Sequence, residues 1–271
     1  MNRPEVAVIP AAGRGTRMRP ASRVVPKALI TVVDRPCIQW AVEEAARSGA
    51  TKVILVVNAE AGQSIHDHFH AEGPLPGLED VRIRVAIQKE PHGLGHAVWT
   101  AQEEVGDRSF YCLLADTIAP PGVDFLTPLA DAGGSNAVTL RELTDEYLER
   151  YGVIVPGAMR SDDVVEVKGA IEKPGKAKAP SNLGLVGRYV FSPEVFEVLA
   201  TSEPGVGGEI QLTDAIDRLG RSGSCVGVIA PEDVLDVGNP LGLVEATTIL
   251  GLAMPELRDD YRAFLARLGR Q

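Results

Sequence analysis

Cysteine is scarce in this sequence, and the few that occur are dispersed. Cys37, Cys112 and Cys225 lie far apart and lack the CxxC spacing of a zinc-ligand pair. An odd, scattered set of this kind argues against a disulfide framework and against a zinc site. It is typical of a protein from a reducing compartment.

Long apolar runs are also missing. No stretch approaches the roughly 18 consecutive apolar residues that a membrane-spanning helix needs. The opening decapeptide MNRPEVAVIP is too short and too quickly acidic for a signal peptide. We therefore expect a cytoplasmic protein without a membrane partner.

Positive charge is in deficit, since the formal net charge is −10. Nucleic acids and anionic membranes both require a basic surface, so the sequence predicts neither as a partner. Only seven of the 27 basic residues are lysines. A lysine inside a motif is therefore less easily explained as random surface charge.

What the chain does contain is an alternation of strand and helix patterns. In the first half, short apolar and β-branched runs separate segments of helical periodicity. The runs are Glu5–Pro10, Lys52–Asn58, Val81–Ile87 and Ser109–Ala115, and the predicted helices are Ile38–Arg47, Gly62–Phe69 and Leu94–Glu104. Runs that are apolar on both faces indicate buried parallel strands, so we predict a doubly wound α/β sheet. The second half is less regular and predicts a mixed sheet, with an amphipathic helix at the end.

The loop after the first predicted strand, AAGRGTRMRP, is suited to an anion. Gly13 and Gly15 let backbone N–H groups approach a ligand without a Cβ in the way. Thr16 adds a hydroxyl, and the guanidinium of Arg17 matches phosphate oxygens. The loop is neither GxGxxG nor GxxxxGK[ST]. Taken alone, it can also be a tight turn with solvated arginines.

A carboxylate, Asp116, follows the apolar run FYCLLA at the end of the fourth predicted strand. Ligands of open α/β sheets bind at the carboxyl ends of the strands, so Asp116 and the glycine loop should share one crevice. A carboxylate there can hold a hard cation. The alternative is that Asp116 caps a turn.

Further motifs in the right order extend the pattern over nearly the whole chain; they are VVPKALITVVDRPCIQW, GLGHAV, YGVIV, EKP, APSNLGLVGRYVFSPEVF and GGEIQLTDAI. With the opening loop, they resemble the sugar-1-phosphate nucleotidyltransferases, in particular the bacterial UTP–glucose-1-phosphate uridylyltransferases. The resemblance implies a Rossmann-like, GT-A-like mixed sheet with a small sugar-binding subregion. It also implies that UTP and glucose 1-phosphate react to UDP-glucose and pyrophosphate by in-line attack on the α-phosphorus.

The resemblance assigns roles to individual residues. Arg17, Lys27 and Lys173 would be catalytic. The nucleotide would be bound by one set of residues: Ala11, Ala12, Gly13, Gly15, Thr16, Arg17, Lys27, Gln88 and Gly93. The sugar phosphate would be bound by a second set: Gly152, Glu172, Lys173, Asn182 and Leu185. Asp116 and Asp236 would hold the Mg²⁺ cofactor.

The same resemblance implies one nucleotidyltransferase domain over 1–271. Its nucleotide-binding half would span 1–135 and its sugar-phosphate half 136–235, with a metal ligand and helices in 236–271. We also expect a homo-oligomer. The segment DVGNP is closer to the pattern of the wider family than to that of the uridylyltransferases. A thymidylyltransferase using dTTP, or an enzyme for another hexose 1-phosphate, therefore stays open.

Two other classes are weaker alternatives. A GT-A glycosyltransferase needs a D-x-D motif after the fourth strand, and ADTIAP supplies only its first aspartate. A non-catalytic nucleotide-sugar sensor would not need to neutralise pyrophosphate. The joint presence of Arg17, Lys27, Asp116, Lys173 and Asp236 therefore favours an enzyme.

Overall fold

The computed structural model describes residues 3–269, and a mixed β-sheet runs through its centre. The long strands are β1 (Val6–Pro10), β4 (Lys52–Asn58), β5 (Arg82–Gln88), β6 (Phe110–Leu113), β8 (Asn136–Glu142), β9 (Val153–Met159), β10 (Val164–Ile171), β11 (Leu183–Phe191) and β12 (Cys225–Ile229). Short strands form two separate ribbons; they are β2 (Thr31–Val32), β3 (Arg35–Pro36), β7 (Thr117–Ile118) and β13 (Leu235–Asp236).

The order of strands in the central sheet is β5-β4-β1-β6-β11-β8-β12-β10-β9. The first four strands in this order are mutually parallel, as the sequence predicts. The direction reverses at β11, which is antiparallel to both β6 and β8. Strands β6 and β8 consequently point the same way, so their carboxyl ends lie at one edge of the sheet together with those of β1 and β4.

Helices cover the sheet and extend beyond it. They are α1 (Cys37–Arg47), α2 (Ala59–His70), α3 (Leu94–Thr100), α4 (Gln102–Val105), α5 (Leu126–Asp131), α6 (Glu194–Ala200), α7 (Leu212–Arg221), α8 (Pro240–Ala253) and α9 (Pro255–Leu268). In the part of the chain that the structure describes, no helix combines the length and apolar character needed to cross a bilayer.

The core lies on both faces of the sheet, which explains the uninterrupted apolar strands. In β1, Val6 and Val8 belong to one buried cluster, whereas Ala7 and Ile9 belong to the cluster on the opposite face. Period-two alternation of side chains means that every residue of such a strand is buried. The predicted doubly wound, mixed α/β fold is confirmed.

Two predicted boundaries differ near the site. The predicted helix Leu94–Glu104 breaks at Ala101, whose backbone ends α3 before α4 begins. The predicted strand Ser109–Ala115 ends earlier, at Leu113. The chain turns there, because the N–H of Thr117 donates to the carbonyl of Leu114 at 3.4 Å. Asp116 is thus presented by a turn.

Helix α8 begins with a clear capping signal. Asn239 caps α8, since its Oδ1 accepts a hydrogen bond from the N–H of Gly242 at 3.0 Å, and Pro240 follows at the first helical position. The predicted amphipathic helix at the end of the chain is α9. It packs against α8 and leaves Leu257, Phe264 and Leu268 partly exposed.

Candidate active site

A cavity of about 550 Å³ opens at the carboxyl ends of β1 and β6. Every residue that the sequence assigns to the nucleotide lines it, and so does one predicted metal ligand; these are Ala11, Ala12, Gly13, Gly15, Thr16, Arg17, Lys27, Gln88, Gly93 and Asp116. Pro91, Leu94 and Glu209 complete part of the wall. The glycine loop and Asp116 therefore share one crevice at the carboxyl ends of the strands, as predicted.

The two glycines of the opening loop have different geometries. Gly15 is left-handed, with φ of 59°, and it precedes a short 3₁₀ turn over Thr16–Met18. A Cβ at position 15 would lie 2.8 Å from the Cβ of Lys27, so the bare backbone lets that lysine approach. A Cβ at Gly13 would meet nothing within 4 Å. Gly13 borders open space in which a ligand can lie.

Opposite charges meet at the centre of the cavity. Lys27 Nζ donates to Asp116 Oδ2 at 2.6 Å, and Arg17 Nη2 lies 4.0 Å from the same oxygen. Burial by itself would raise the pKa of Asp116, but the charge and hydrogen bond of Lys27, with the charge of Arg17, outweigh it. The pKa of Asp116 is therefore lowered, and its carboxylate is ionised at neutral pH.

The second predicted metal ligand is brought to the first by a two-stranded ribbon. Strand β13 pairs with β7, which sets Asp236 opposite Thr117. The N–H of Val237 also donates to the carbonyl oxygen of Asp116 at 3.0 Å. Aspartates that are 120 positions apart in sequence thus project from neighbouring backbone segments.

Gly238 marks how closely these charged groups converge. A Cβ there would lie 2.7 Å from Asp236 Oδ1 and 3.0 Å from both Arg17 Nη2 and Lys27 Nζ. Asp236 Oδ1 accepts a hydrogen bond from the N–H of Gly238 at 2.7 Å. One carboxylate and two cations therefore surround one glycine, and Lys27 also contacts Asp116.

The side-chain ligands that this site offers to a metal ion are the carboxylate oxygens of Asp116 and Asp236. Within residues 3–269, no group of three or more His, Cys, Asp and Glu side chains is arranged to hold an ion. A pair of carboxylates suits Mg²⁺, which takes one or two of them and completes its octahedron with phosphate oxygens and water. Asp116 and Asp236 fit that requirement.

At the other end of the cavity, Gln88 has a fixed side-chain orientation. Its Nε2 donates to the carbonyl oxygen of Gly93 at 3.1 Å and is 2.9 Å from His96 Nδ1. Burial, followed by the charge of His92, lowers the pKa of His96, so its ring is neutral at pH 7 and Nδ1 can accept. Both amide hydrogens of Gln88 are engaged by the protein.

His96 was not among the site residues that the sequence predicts. The sequence indicates only that His96, the last residue of GLGH, lies at the start of the following helix. Because α3 begins directly after the Gln88–Gly93 loop, its first turn must lie beside the end of β5. A polar side chain at that turn is the signal that could have identified it.

Three of the predicted sugar-phosphate residues lie around Thr213, which is the second site residue that sequence reasoning missed. Its hydroxyl donates to Glu172 Oε2 at 2.6 Å. A Cβ at Gly152 would lie 2.7 Å from Thr213 Oγ1 and 3.1 Å from Leu185 Cδ1. The N–H of Leu185 donates to the carbonyl of Gly152 at 2.9 Å. Gly152, Glu172 and Leu185 are thus brought together.

The other two members of that set are placed less directly. Lys173 Nζ is 2.7 Å from Glu172 Oε1, and the backbone of Lys173 is left-handed with φ of 46°. The carbonyl oxygen of Asn182 accepts a hydrogen bond from the N–H of Leu143 at 2.7 Å. Thr213 was within a quoted motif, GGEIQLTDAI. Its place at the start of α7, facing the strands, could have identified it.

The sugar set and the nucleotide cavity are connected through backbone. The N–H of Ile210 donates to the carbonyl of His92 at 2.7 Å, and the carbonyl of Ile210 accepts from the N–H of Gly95 at 2.8 Å. These bonds join the Gln88–Gly93 loop to the segment that leads into α7 and Thr213. The Gln88 end of the cavity is thus tied to the segment that carries Thr213 and its partner Glu172, although Glu172 itself does not line the cavity.

Parallel strands with a glycine loop and an aspartate at their carboxyl ends are the arrangement by which open α/β folds bind nucleotides. The chain belongs to the nucleotidyl transferase family, whose pattern matches residues 6–251.

Within that family, the chain is 36% identical over 288 aligned residues to UTP–glucose-1-phosphate uridylyltransferase 2 of Staphylococcus saprophyticus, with 99% of each chain covered. It is also 36% identical to the UTP–glucose-1-phosphate uridylyltransferase of Staphylococcus epidermidis, again over 99% of both chains. The resemblance that the sequence motifs indicate is confirmed.

Solved structures agree with these relatives. A UDP-glucose pyrophosphorylase complexed with UDP-glucose superposes with a TM-score of 0.86 at 29% identity, covering 94% of this chain and 100% of the other. A UTP-bound enzyme from Acinetobacter baumannii gives a TM-score of 0.82 at 30% identity, covering 99% and 100%.

Proposed function

We propose that this protein transfers a uridylyl group from UTP to glucose 1-phosphate, releasing pyrophosphate and forming UDP-glucose. The observation that carries the proposal is that Arg17, Lys27 and Asp116 line one glycine-containing cavity and that Asp236 converges with Arg17 and Lys27 at Gly238. Phosphoryl-type transfers depend mostly on positioning and charge neutralisation, and this cavity supplies both. The relatives named as uridylyltransferases, aligned over the whole chain, support the choice of substrates.

The triphosphate would bind across the opening loop. Gly13 gives its phosphates access to the backbone N–H groups, and the Thr16 hydroxyl and the Arg17 guanidinium add donors. Lys27, 2.6 Å from Asp116, would face the α-phosphate, where the attacking oxygen arrives. Charge on the phosphates grows in the transition state, so a preorganised donor of this kind contributes about 3 kcal/mol.

Asp116 and Asp236 would hold Mg²⁺ through their carboxylate oxygens. When bound, the ion supplies Lewis-acid neutralisation of phosphate charge. The ionised state of Asp116 at neutral pH, which its lowered pKa provides, keeps the site ready for a cation. Lys27 offsets the charge of the same carboxylate until substrate arrives.

The orientation of Gln88 gives a reason for base selectivity. Its amide hydrogens are engaged by Gly93 and His96, so the base meets the carbonyl oxygen of the amide. That oxygen accepts a hydrogen bond from N3–H of uracil or thymine. Cytosine has no hydrogen on N3, so CTP should bind poorly. Ala11 and Ala12 would border the base on its faces.

Glucose 1-phosphate would bind along the other part of the wall. The Glu172 carboxylate, oriented by Thr213, would accept hydrogen bonds from sugar hydroxyls. Lys173 would transfer its contact from Glu172 to the attacking phosphate. Backbone at Gly152 and along Asn182–Leu185 would line the sugar.

A substrate panel tests the proposal. Pyrophosphate release is measured with UTP, dTTP, CTP, ATP or GTP, each combined with glucose, galactose or glucosamine 1-phosphate and Mg²⁺. We expect the highest kcat/KM with UTP and glucose 1-phosphate. A preference for dTTP would make the protein a thymidylyltransferase, and no release with any pair would leave a non-catalytic nucleotide-sugar sensor.

A further inference from the structure

A fully buried arginine lies directly behind the two aspartates. The side chain of Arg188, in β11, is 0% exposed, and its partner Glu44 in α1 is 6% exposed. Arg188 Nε donates to Glu44 Oε1 at 2.7 Å, and Nη2 donates to Glu44 Oε2 at 2.7 Å. The contact is bidentate, which fixes the plane of the guanidinium.

Apart from a bond of 3.1 Å from Nη1 to the carbonyl of Gly187, the remaining guanidinium contacts are to the turn that carries Asp116. Nη1 of Arg188 donates to Thr117 Oγ1 at 2.6 Å, and Nη2 donates to the Thr117 carbonyl at 2.9 Å. A longer bond of 3.5 Å reaches the carbonyl of Leu114. The guanidinium therefore forms hydrogen bonds with the turn on both sides of Asp116, at Leu114 and at Thr117.

Other groups hold the carbonyls between these two. Cys37 Sγ donates to the Ala115 carbonyl at 2.7 Å, and the N–H of Val237 donates to the Asp116 carbonyl at 3.0 Å. All four carbonyl oxygens of the turn over 114–117 thus accept a hydrogen bond. The Asp116 side chain is presented by a backbone with no freedom to rotate without breaking one of these bonds.

The same contact reaches the second aspartate through the β7–β13 ribbon. Thr117, whose carbonyl and hydroxyl both accept from Arg188, is paired across the ribbon with Asp236. A shift of Thr117 would therefore displace both carboxylates. Fixing this one residue fixes the separation between them.

A buried ion pair of this kind is a poor way to stabilise a fold. The desolvation of two charges roughly cancels their attraction, and well-packed apolar side chains of similar volume often serve stability as well or better. The pair needs another explanation, and its contacts on the metal-ligand turn supply one.

We propose that Arg188, anchored by Glu44, is a positioning residue that sets the geometry of the Asp116–Asp236 pair and thereby the affinity for the divalent cation. The proposal rests on the proposed function. It assigns no contact between Arg188 and substrate, and its effect is exerted through Thr117.

The first test replaces both charges together, as Glu44→Leu with Arg188→Met. Removal of both partners leaves no uncompensated buried charge, so the double variant should melt within a few degrees of the wild type. Mn²⁺ binding is followed by electron paramagnetic resonance with the enzyme saturated in UDP-glucose. We expect the Kd for Mn²⁺ to rise at least tenfold, and kcat of the Mg²⁺ enzyme to fall by a similar factor.

A milder variant keeps the proposal testable if the double variant does not fold. Thr117→Val preserves shape but removes the hydroxyl, which accepts from Arg188 and donates to the Leu114 carbonyl at 3.2 Å, so we expect a several-fold rise in the Mn²⁺ Kd. Thr117→Ser keeps both bonds and should restore wild-type affinity. Asn136→Ala is the matched control. Asn136 is also fully buried, and it accepts from the N–H of Ser192 at 2.9 Å at the opposite sheet edge. It should lower Tm without changing the Mn²⁺ Kd.

The outcomes separate this proposal from the proposed function. A folded double variant, or Thr117→Val, that binds Mn²⁺ as tightly as the wild type would overturn the positioning role, leaving the ion pair a support for the core. A wild-type enzyme that makes no UDP-glucose would instead overturn the proposed function, whatever the variants do.

Discussion

The closest backbone approach in the nucleotide cavity yields a sharp prediction for Gly93→Ala. Gly93 has φ of 102° and ψ of 179°, a conformation almost restricted to glycine. A Cβ there would lie 2.8 Å from the carbonyl oxygen and 3.0 Å from the nitrogen of Ile210. Backbone cannot rotate aside as a flexible side chain can, so either the Gln88–Gly93 loop or the segment before α7 must shift.

The magnitude follows from these two effects. The backbone conformation costs an alanine about 1–3 kcal/mol, and overpacking adds about 1–3 kcal/mol. A loss of about 3 kcal/mol or more corresponds to a Tm lower by roughly 6–12 °C in a chain of this size. Because Gly93 also accepts from Gln88, the shift should raise the KM for UTP by about tenfold or more.

Gly49→Ala is the matched control for Gly93→Ala. Gly49 has a similar φ of 96°, but a Cβ there would meet nothing within 4 Å. Gly49→Ala should lower the free energy of unfolding by only about 1–2 kcal/mol and leave the KM for UTP unchanged. Differential scanning calorimetry and initial-rate kinetics measure both quantities. If Gly93→Ala melts no lower than Gly49→Ala and binds UTP equally well, the argument from close approach is wrong.

Further predictions concern the charged and polar groups of the cavity. Asp116→Asn should fold and lower kcat by about 100-fold or more, and substantial turnover in saturating Mg²⁺ would show that the metal is misplaced. The lowered pKa of folded Asp116 adds stability that is present above the unfolded value near 3.9 and is lost as pH falls through the folded value. The difference in unfolding free energy between wild type and Asp116→Asn, measured in urea, should therefore shrink below roughly pH 4. Lys173→Ala should raise the KM for glucose 1-phosphate by about tenfold and lower kcat, because a charge-assisted bond is lost; a matching rise in the KM for UTP would contradict its role. Thr213→Val should raise the same sugar-phosphate KM by about fivefold while Thr213→Ser should not, and equal kinetics for the two variants would remove Thr213 from the site.

Much of the fold could be predicted because burial leaves a direct pattern in the chain. Lys52–Asn58 is a strand with the predicted bounds, and the predicted runs Glu5–Pro10 and Val81–Ile87 lie within one residue of β1 and β5, since apolar β-branched runs have few alternatives. The shared location of the glycine loop and Asp116 could also be predicted, because both follow carboxyl ends of strands, whereas Lys27, Gln88 and Gly93 were included only through the family resemblance. The loop and Asp116 gather in one cavity because the strands are parallel.

Contacts that depend on tertiary pairing could not be predicted. Arg188 and Glu44 are 144 positions apart, and neither lies in a recognisable motif for an ion pair. The orientation of Gln88 by His96, and of Glu172 by Thr213, depends on how helices lie against strand ends. The roles of individual site residues, the division of the single domain into halves, the homo-oligomer and the cytoplasmic location stay predictions.

The three thiols have a practical consequence for later work on this protein. Cys37, Cys112 and Cys225 are all buried, and burial raises the pKa of each thiol, to about 12 for Cys225. Thiolates react with maleimides and thiols hardly do, so the native chain should resist labelling. A single cysteine added at the surface could then carry a fluorophore alone. The rate at which Cys37 is modified would then report how often the neighbouring turn over 114–117 opens at the cavity.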